Sequence, residues 1–251
     1  MSDFNRGFGR TFPQPRAGDM SVDAGLRGFM LGVYNKVALG LVLSGVLAWL
    51  TSSYRPVAEL LYVLTPDGRL AGFTLLGTLI RFAPLAMIFV TMFTMRNPTA
   101  RGSAILYWAL VASIGAGLGV WLLAYTGESV ASTFFITAAA FGGLSLFGYA
   151  TKRDLTGMGS FLMMGLIGII LASLVNLFLH SPAISFVVSV LGVLIFAGLI
   201  AYDTQRLKMT YYELGGNAEA SAVATNYGAL SLYINFINLF QFLLSLFGAR
   251  R

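Results

Sequence analysis

The 251-residue chain has no cysteine, one histidine and little charge: 16 Lys and Arg and 10 Asp and Glu, a tenth of its residues. Without cysteine there is no disulfide, thiolate zinc site, iron–sulfur cluster or cysteine nucleophile. One histidine supplies a His-rich metal site or a Ser-His-Asp triad poorly. Soluble domains carry about 25% charged residues. A single core of this length cannot hide a composition that is 57% hydrophobic, because a soluble fold needs a polar shell. A soluble globule, a disordered chain and a collagen-like repeat are therefore excluded.

The few charges are clustered. Between Gly102 and Thr151 the only one is Glu128, and between Asp154 and Asp203, or Glu219 and Arg250, there is none. A bilayer-spanning helix needs about 20 mostly apolar residues, and continuous apolar runs without alternation favour helices over a barrel. The pattern predicts an all-α integral membrane protein, a bundle of seven spans: Leu31–Thr51, Phe73–Met95, Ser103–Tyr125, Val130–Ala150, Phe161–Leu179, Ala183–Tyr202 and Tyr227–Phe247. Residues 1–28 read as a basic, disordered cytoplasmic tail and 29–251 as the membrane domain. Two connections are long. Ser52–Gly72 holds Pro56, Pro66 and the turn signal Asp67-Gly68, and Asp203–Asn226 holds Gly215-Gly216-Asn217.

A net charge of +6 would suggest nucleic acid in a soluble protein. Here it reads as orientation, with the bilayer and not nucleic acid as the partner. With the N-terminus in the cytoplasm, the inside holds Arg6, Arg10, Arg16, Arg27, Lys36, Arg96, Arg101, Lys152, Arg153, Arg206 and Lys208. The outside holds only Arg55, Arg69, Arg250 and Arg251, as the positive-inside rule requires.

Polar side chains inside the spans are costly and mark function or helix contacts. Ser231, Asn235, Asn238, Gln241 and Ser245 recur at helical steps and form one stripe, read evenly as pathway lining or as interhelical glue. Asp203 stands at the predicted inner end of the sixth span, on a face with Phe196, Gly192, Ser189 and Ser185. It is placed to meet Asn235; the alternative is a helix-end carboxylate among headgroups. Arg96, at the inner end of the second span, is either a positive-inside anchor or a partner for Asp203. Arg81 is read as snorkelling outward. Gly165, Gly168, Ala172 and Asn176, together with Gly115, Gly117, Gly119, Gly142 and Gly143, are read as close helix packing. His180 is read as an exposed loop residue.

The runs Ala201-Tyr202-Asp203-Thr204-Gln205 and Gly228–Phe240, the latter containing Ser231-Leu232-Tyr233-Ile234-Asn235-Phe236-Ile237-Asn238, resemble the Bax inhibitor family in its bacterial branch. The resemblance covers about residues 28–249. It implies a bundle whose last helix is central, in the bacterial inner membrane, and a pH-sensitive calcium leak gated by two aspartates with an arginine latch. Asp203 matches the first aspartate and Arg96 the arginine. Other relatives restrain a membrane quality-control protease, and the basic tail would be the contact segment. The second aspartate is replaced by Asn235. Two nearby carboxylates titrate as a coupled pair, and an Asp–Asn pair does not. Asp203 is then the one anionic ligand for calcium, which prefers several oxygens. Calcium is expected as a transported ion, not a cofactor. No paired acids, activated serine or metal cluster supports an enzyme.

Overall fold

The computed structural model describes residues 24–66, 70–94 and 97–250, with the backbone alone for 92–94. The Asp67-Gly68 turn, Arg69, Arg96, Arg251 and the tail from Ser2 to Asp23 lie outside the described residues.

Eight helices are described: α1 Ala24–Ser53, α2 Arg55–Leu61, α3 Leu75–Thr94, α4 Ala100–Ala124, α5 Gly127–Ala150, α6 Thr156–Leu179, α7 Pro182–Glu213 and α8 Ala218–Phe247. Six of them, α1 and α4 to α8, are long and apolar enough to cross a membrane, and α3 carries a shorter apolar run, Leu75–Thr91. Several helix starts have a chemical cause. Thr99, Thr126 and Asn217 accept the backbone N–H of Gly102, Ser129 and Ala220, which satisfies orphan donors of the first turn. Ser181 does the same for Ile184, with Pro182 following in the first turn.

The structure corrects the sequence reading at three places. α1 begins at Ala24, so the last five residues assigned to the tail are helical. The connection after α1 is not a plain loop: it holds α2 and an antiparallel hairpin of β1 Tyr62–Leu64 with β2 Leu70–Phe73, so the fold is not strictly all-α. α7 runs to Glu213 and α8 starts at Ala218. The long connection predicted from Asp203 to Asn226 is therefore mostly helix. Charge ended the predicted span, but charge does not end a helix. Only Gly215 and Gly216, both at positive φ, break the chain.

α8 packs against α7, α1, α4 and α5. It contributes to both large core clusters. Leu232, Tyr233 and Phe236 join Val33, Tyr107 and Val111, while Leu239 and Leu243 join Ile195, Phe196 and Ile200. Half of its apolar window is buried, against 11% for α6. α6 instead exposes Phe161, Met164 and Phe178, the composition of a surface facing lipid.

Close contacts depend on particular glycines. A Cβ on Gly115 would stand 2.6 Å from the Cα of Ser44 in α1, and one on Gly148 would collide with the Ala201 carbonyl of α7. The packing reading fails for Gly117, Gly142, Gly143 and Gly168, which face open space. Pro84 inside α3 supplies no N–H for the Ile80 carbonyl; Ser113 of α4 donates to that carbonyl at 3.3 Å.

Candidate functional site

Asp203 lies ten residues before the end of α7, about 15 Å from it at 1.5 Å per residue. It is a mid-helix group and not the helix-end residue expected. It is 5% exposed, as is Asn235. Ser231 donates to Oδ2 of Asp203 at 2.5 Å, and Asn235 Nδ2 donates to the same oxygen at 2.8 Å. Both donors come from one turn of α8. The other oxygen, Oδ1, faces the Arg206 guanidinium at 3.0 Å. Hydrogen bonds to a charged group contribute roughly 1.5–3 kcal/mol each, so a carboxylate that would be costly in hydrocarbon is held within the bundle.

Arg206 is the site residue that the sequence reading missed. It sits three residues after Asp203, a spacing that puts both on one helix face, and its guanidinium also stacks 5.6 Å from the Tyr202 ring. The signal was present, but ending the span at Tyr202 hid it. Arg96, the arginine proposed from sequence, lies outside the described residues.

The α8 stripe does not act as one unit. Ser231 and Asn235 serve Asp203. Asn238 turns its amide onto the Ile234 carbonyl of its own helix at 2.8 Å. Gln241 lines a cavity with Arg81 and Ser113. Ser245 is 3.2 Å from Ser189 of α7. Asn176 and His180 close the α6–α7 turn: Asn176 bonds Ser185 and the Ser181 amide, and His180 occupies the left-handed cap position.

A second polar chain also escaped the sequence reading. Thr204, next to Asp203, meets Ser145 of α5 at 2.9 Å, and Ser145 meets the Tyr34 hydroxyl of α1 at 2.7 Å. Below it, Lys208 donates to the Tyr149 carbonyl at 2.9 Å. Gln205 accepts from the Leu155 amide and donates to the Arg153 carbonyl, both at 2.8 Å. The extended end of α7 thus pins the α5–α6 turn. Among the described residues no group of three or more His, Cys, Asp or Glu stands together to hold a metal ion.

A bundle of long apolar helices with one buried carboxylate clamped between its last two defines a multi-pass membrane protein. Residues 26–251 match the family described as "Inhibitor of apoptosis-promoting Bax1", and the chain belongs to this Bax inhibitor family. It is 67% identical over all 251 residues to an uncharacterized protein of Caulobacter vibrioides, covering the whole of both chains. It is 45% identical over 229 residues to the uncharacterized protein RP147 of Rickettsia prowazekii, covering 91% of this chain and 92% of that one. It is 41% identical over 229 residues to the inner membrane protein YbhL of Escherichia coli K12, covering 91% and 94%.

Proposed function

We propose that the protein is a passive, pH-modulated cation leak of the inner membrane, with calcium as the principal ion. The observation that carries this reading is the Asp203 constellation: a buried carboxylate in a membrane helix, held by Ser231 and Asn235 from the next helix and faced by a half-exposed arginine. In this reading α1 and α3 to α8 all cross the bilayer, α8 is the central helix, and the N-terminus is cytoplasmic with the C-terminus outside. The burial of α8, the distribution of positive residues and the name of the Escherichia coli relative support these assignments.

Calcium takes oxygen ligands. To reach Asp203 it must displace Arg206 from Oδ1, and Asn235 must turn its carbonyl oxygen toward the ion in place of its N–H. Protonation of Asp203 removes the negative charge that attracts the ion, so pH and Arg206 act on one carboxylate. The test is flux into liposomes loaded with a calcium dye across acidic to neutral pH. Flux above protein-free liposomes that loses its pH dependence in Asp203→Asn supports the reading. Absence of flux over the whole range sinks it.

A second reading is a non-transporting regulator that binds a membrane protease. It is favoured by the internal satisfaction of Asp203, whose two oxygens already have donors within the chain, so that no ion is needed to hold it. Crosslinking in native membranes should then recover a stoichiometric protease partner, and deletion of residues 1–23 should lose it.

A further inference from the structure

A cavity of about 530 Å³ opens between α3, α4 and the β hairpin, within the range of small-molecule and cofactor sites. Its walls are mostly apolar, with Leu70, Phe73, Ile80 and Trp121 among them, and Gln241 of α8 reaches it from behind. Among the described residues, Arg81 is the one charged residue on its lining.

Arg81 stands six residues into α3, about 9 Å from the helix start. Its guanidinium lies 4.9 Å from the Phe73 ring centroid, which places it toward the start of α3. It forms no ion pair among the described residues. A cation at membrane depth is normally paired, and a ring face offsets only part of the cost of leaving it unpaired. The same helix exposes Leu76, Leu79 and Phe82, so the cation stands beside a surface that faces hydrocarbon.

An apolar cavity, a cation at headgroup reach with no ion pair among the described residues, and a hydroxyl and an amide nearby match a ligand with an anionic head and an apolar tail. We propose that this cavity binds an anionic phospholipid of the bilayer. Its phosphodiester rests on Arg81, its headgroup lies toward Ser113 and Gln241, and its acyl chains run along α3. A soluble phosphate lacks the chains that the apolar walls and the lipid-facing helix would hold.

The test is lipid retention by the purified full chain, measured by native mass spectrometry after addition of equimolar phosphatidylglycerol and phosphatidylcholine. Both lipids carry the phosphodiester, but the choline ammonium of phosphatidylcholine would stand beside Arg81 as a like charge, so wild type should retain phosphatidylglycerol about tenfold over phosphatidylcholine. Arg81→Gln should bring the ratio to parity. Lys152→Gln, beyond the opposite end of α5, should leave it unchanged. Gly117 lines the cavity and faces open space, so Gly117→Leu should fill the site and lower retention of phosphatidylglycerol about tenfold with Arg81 intact. Parity in the wild type overturns the proposal. So does a preference that survives Arg81→Gln, or a retention of phosphatidylglycerol that Gly117→Leu leaves unchanged, in protein with wild-type melting. Displacement of the lipid by glycerol phosphate at equal concentration would assign the site to a soluble phosphate and overturn the lipid assignment.

Discussion

Asn235 donates its side-chain amide to Oδ2 of Asp203 at 2.8 Å, tying the middle of α8 to the middle of α7. The neighbouring donor, Ser231, is one turn earlier on α8 and bonds the same oxygen. An amide at this position gives Asp203 a neutral partner. A carboxylate there would give it a second titrating group within hydrogen-bond distance.

Asn235→Asp is accordingly expected to change the pH behaviour more than the fold. Two carboxylates sharing a site take up protons in two coupled steps, and two anionic ligands suit calcium better than one. Calcium flux should rise by about tenfold at neutral pH and fall more steeply on acidification than in the wild type. Dye-loaded liposomes measured at closely spaced pH values give both quantities. A flux–pH curve superimposable on that of the wild type would show that Asn235 has no part in the pathway.

Arg206→Gln removes the cation that faces Oδ1 of Asp203. The arginine side chain is 52% exposed, so the pair is screened by solvent and its strength is that of a surface pair, about 0.2–1 kcal/mol. That corresponds to a shift of at most about fivefold in the population with Oδ1 free. Leak at neutral pH should rise by this modest factor, and the double variant with Asp203→Asn should show no further effect of the arginine change. An equal rise in both backgrounds would place the action of Arg206 elsewhere.

Several of these features were legible in the sequence because they rest on chemistry with short range. The apolar runs marked the membrane helices, helical spacing put Ser231 and Asn235 on one stripe, and the shared end of the last two spans placed Asp203 to meet Asn235. The rest was hidden for physical reasons. Hydropathy ends a span where charge begins, but the helix of Asp203 continues for ten residues through Arg206 and Lys208 to the glycine pair. The Thr204–Ser145–Tyr34 chain joins three helices, and no spacing within one segment could reveal it. Glycines were overread as contacts. Gly148 and Gly115 meet backbone while Gly142 and Gly143 meet nothing, a distinction set by where a partner helix lies.

That distinction gives a stability prediction. Gly148→Val and Gly115→Val push side-chain atoms into the Ala201 carbonyl and the Ser44 backbone, and overpacking of this kind costs about 1–3 kcal/mol. Gly142→Ala and Gly143→Ala should be neutral or slightly stabilising, since alanine is the better helix former. Melting of the four variants in one detergent, followed by loss of monodisperse protein, separates the pairs. A Gly148→Val variant that melts like the wild type would mean that α5 and α7 approach less closely than described.

The turn before α6 supplies a pH prediction outside the membrane-spanning helices. The Thr156 side chain, and then its backbone amide, which donates to Oδ1 of Asp154 at 2.9 Å, hold the Asp154 carboxyl below its ordinary value. Hydrogen bonding to the charged form favours that form. The folded pKa thus lies below the unfolded one of about 3.9. The stabilisation is fully present above the unfolded value and disappears as pH falls through the folded one. Thr156→Val removes the hydroxyl and keeps the amide, so the Asp154 midpoint should move upward, part of the way back to its ordinary value. Because the carboxylate is fully solvent-exposed, melting at neutral pH should stay as it is. Carbon-detected NMR titration of a chain labelled at aspartate follows the midpoint directly. A midpoint unmoved by Thr156→Val would assign the whole depression to the backbone amide.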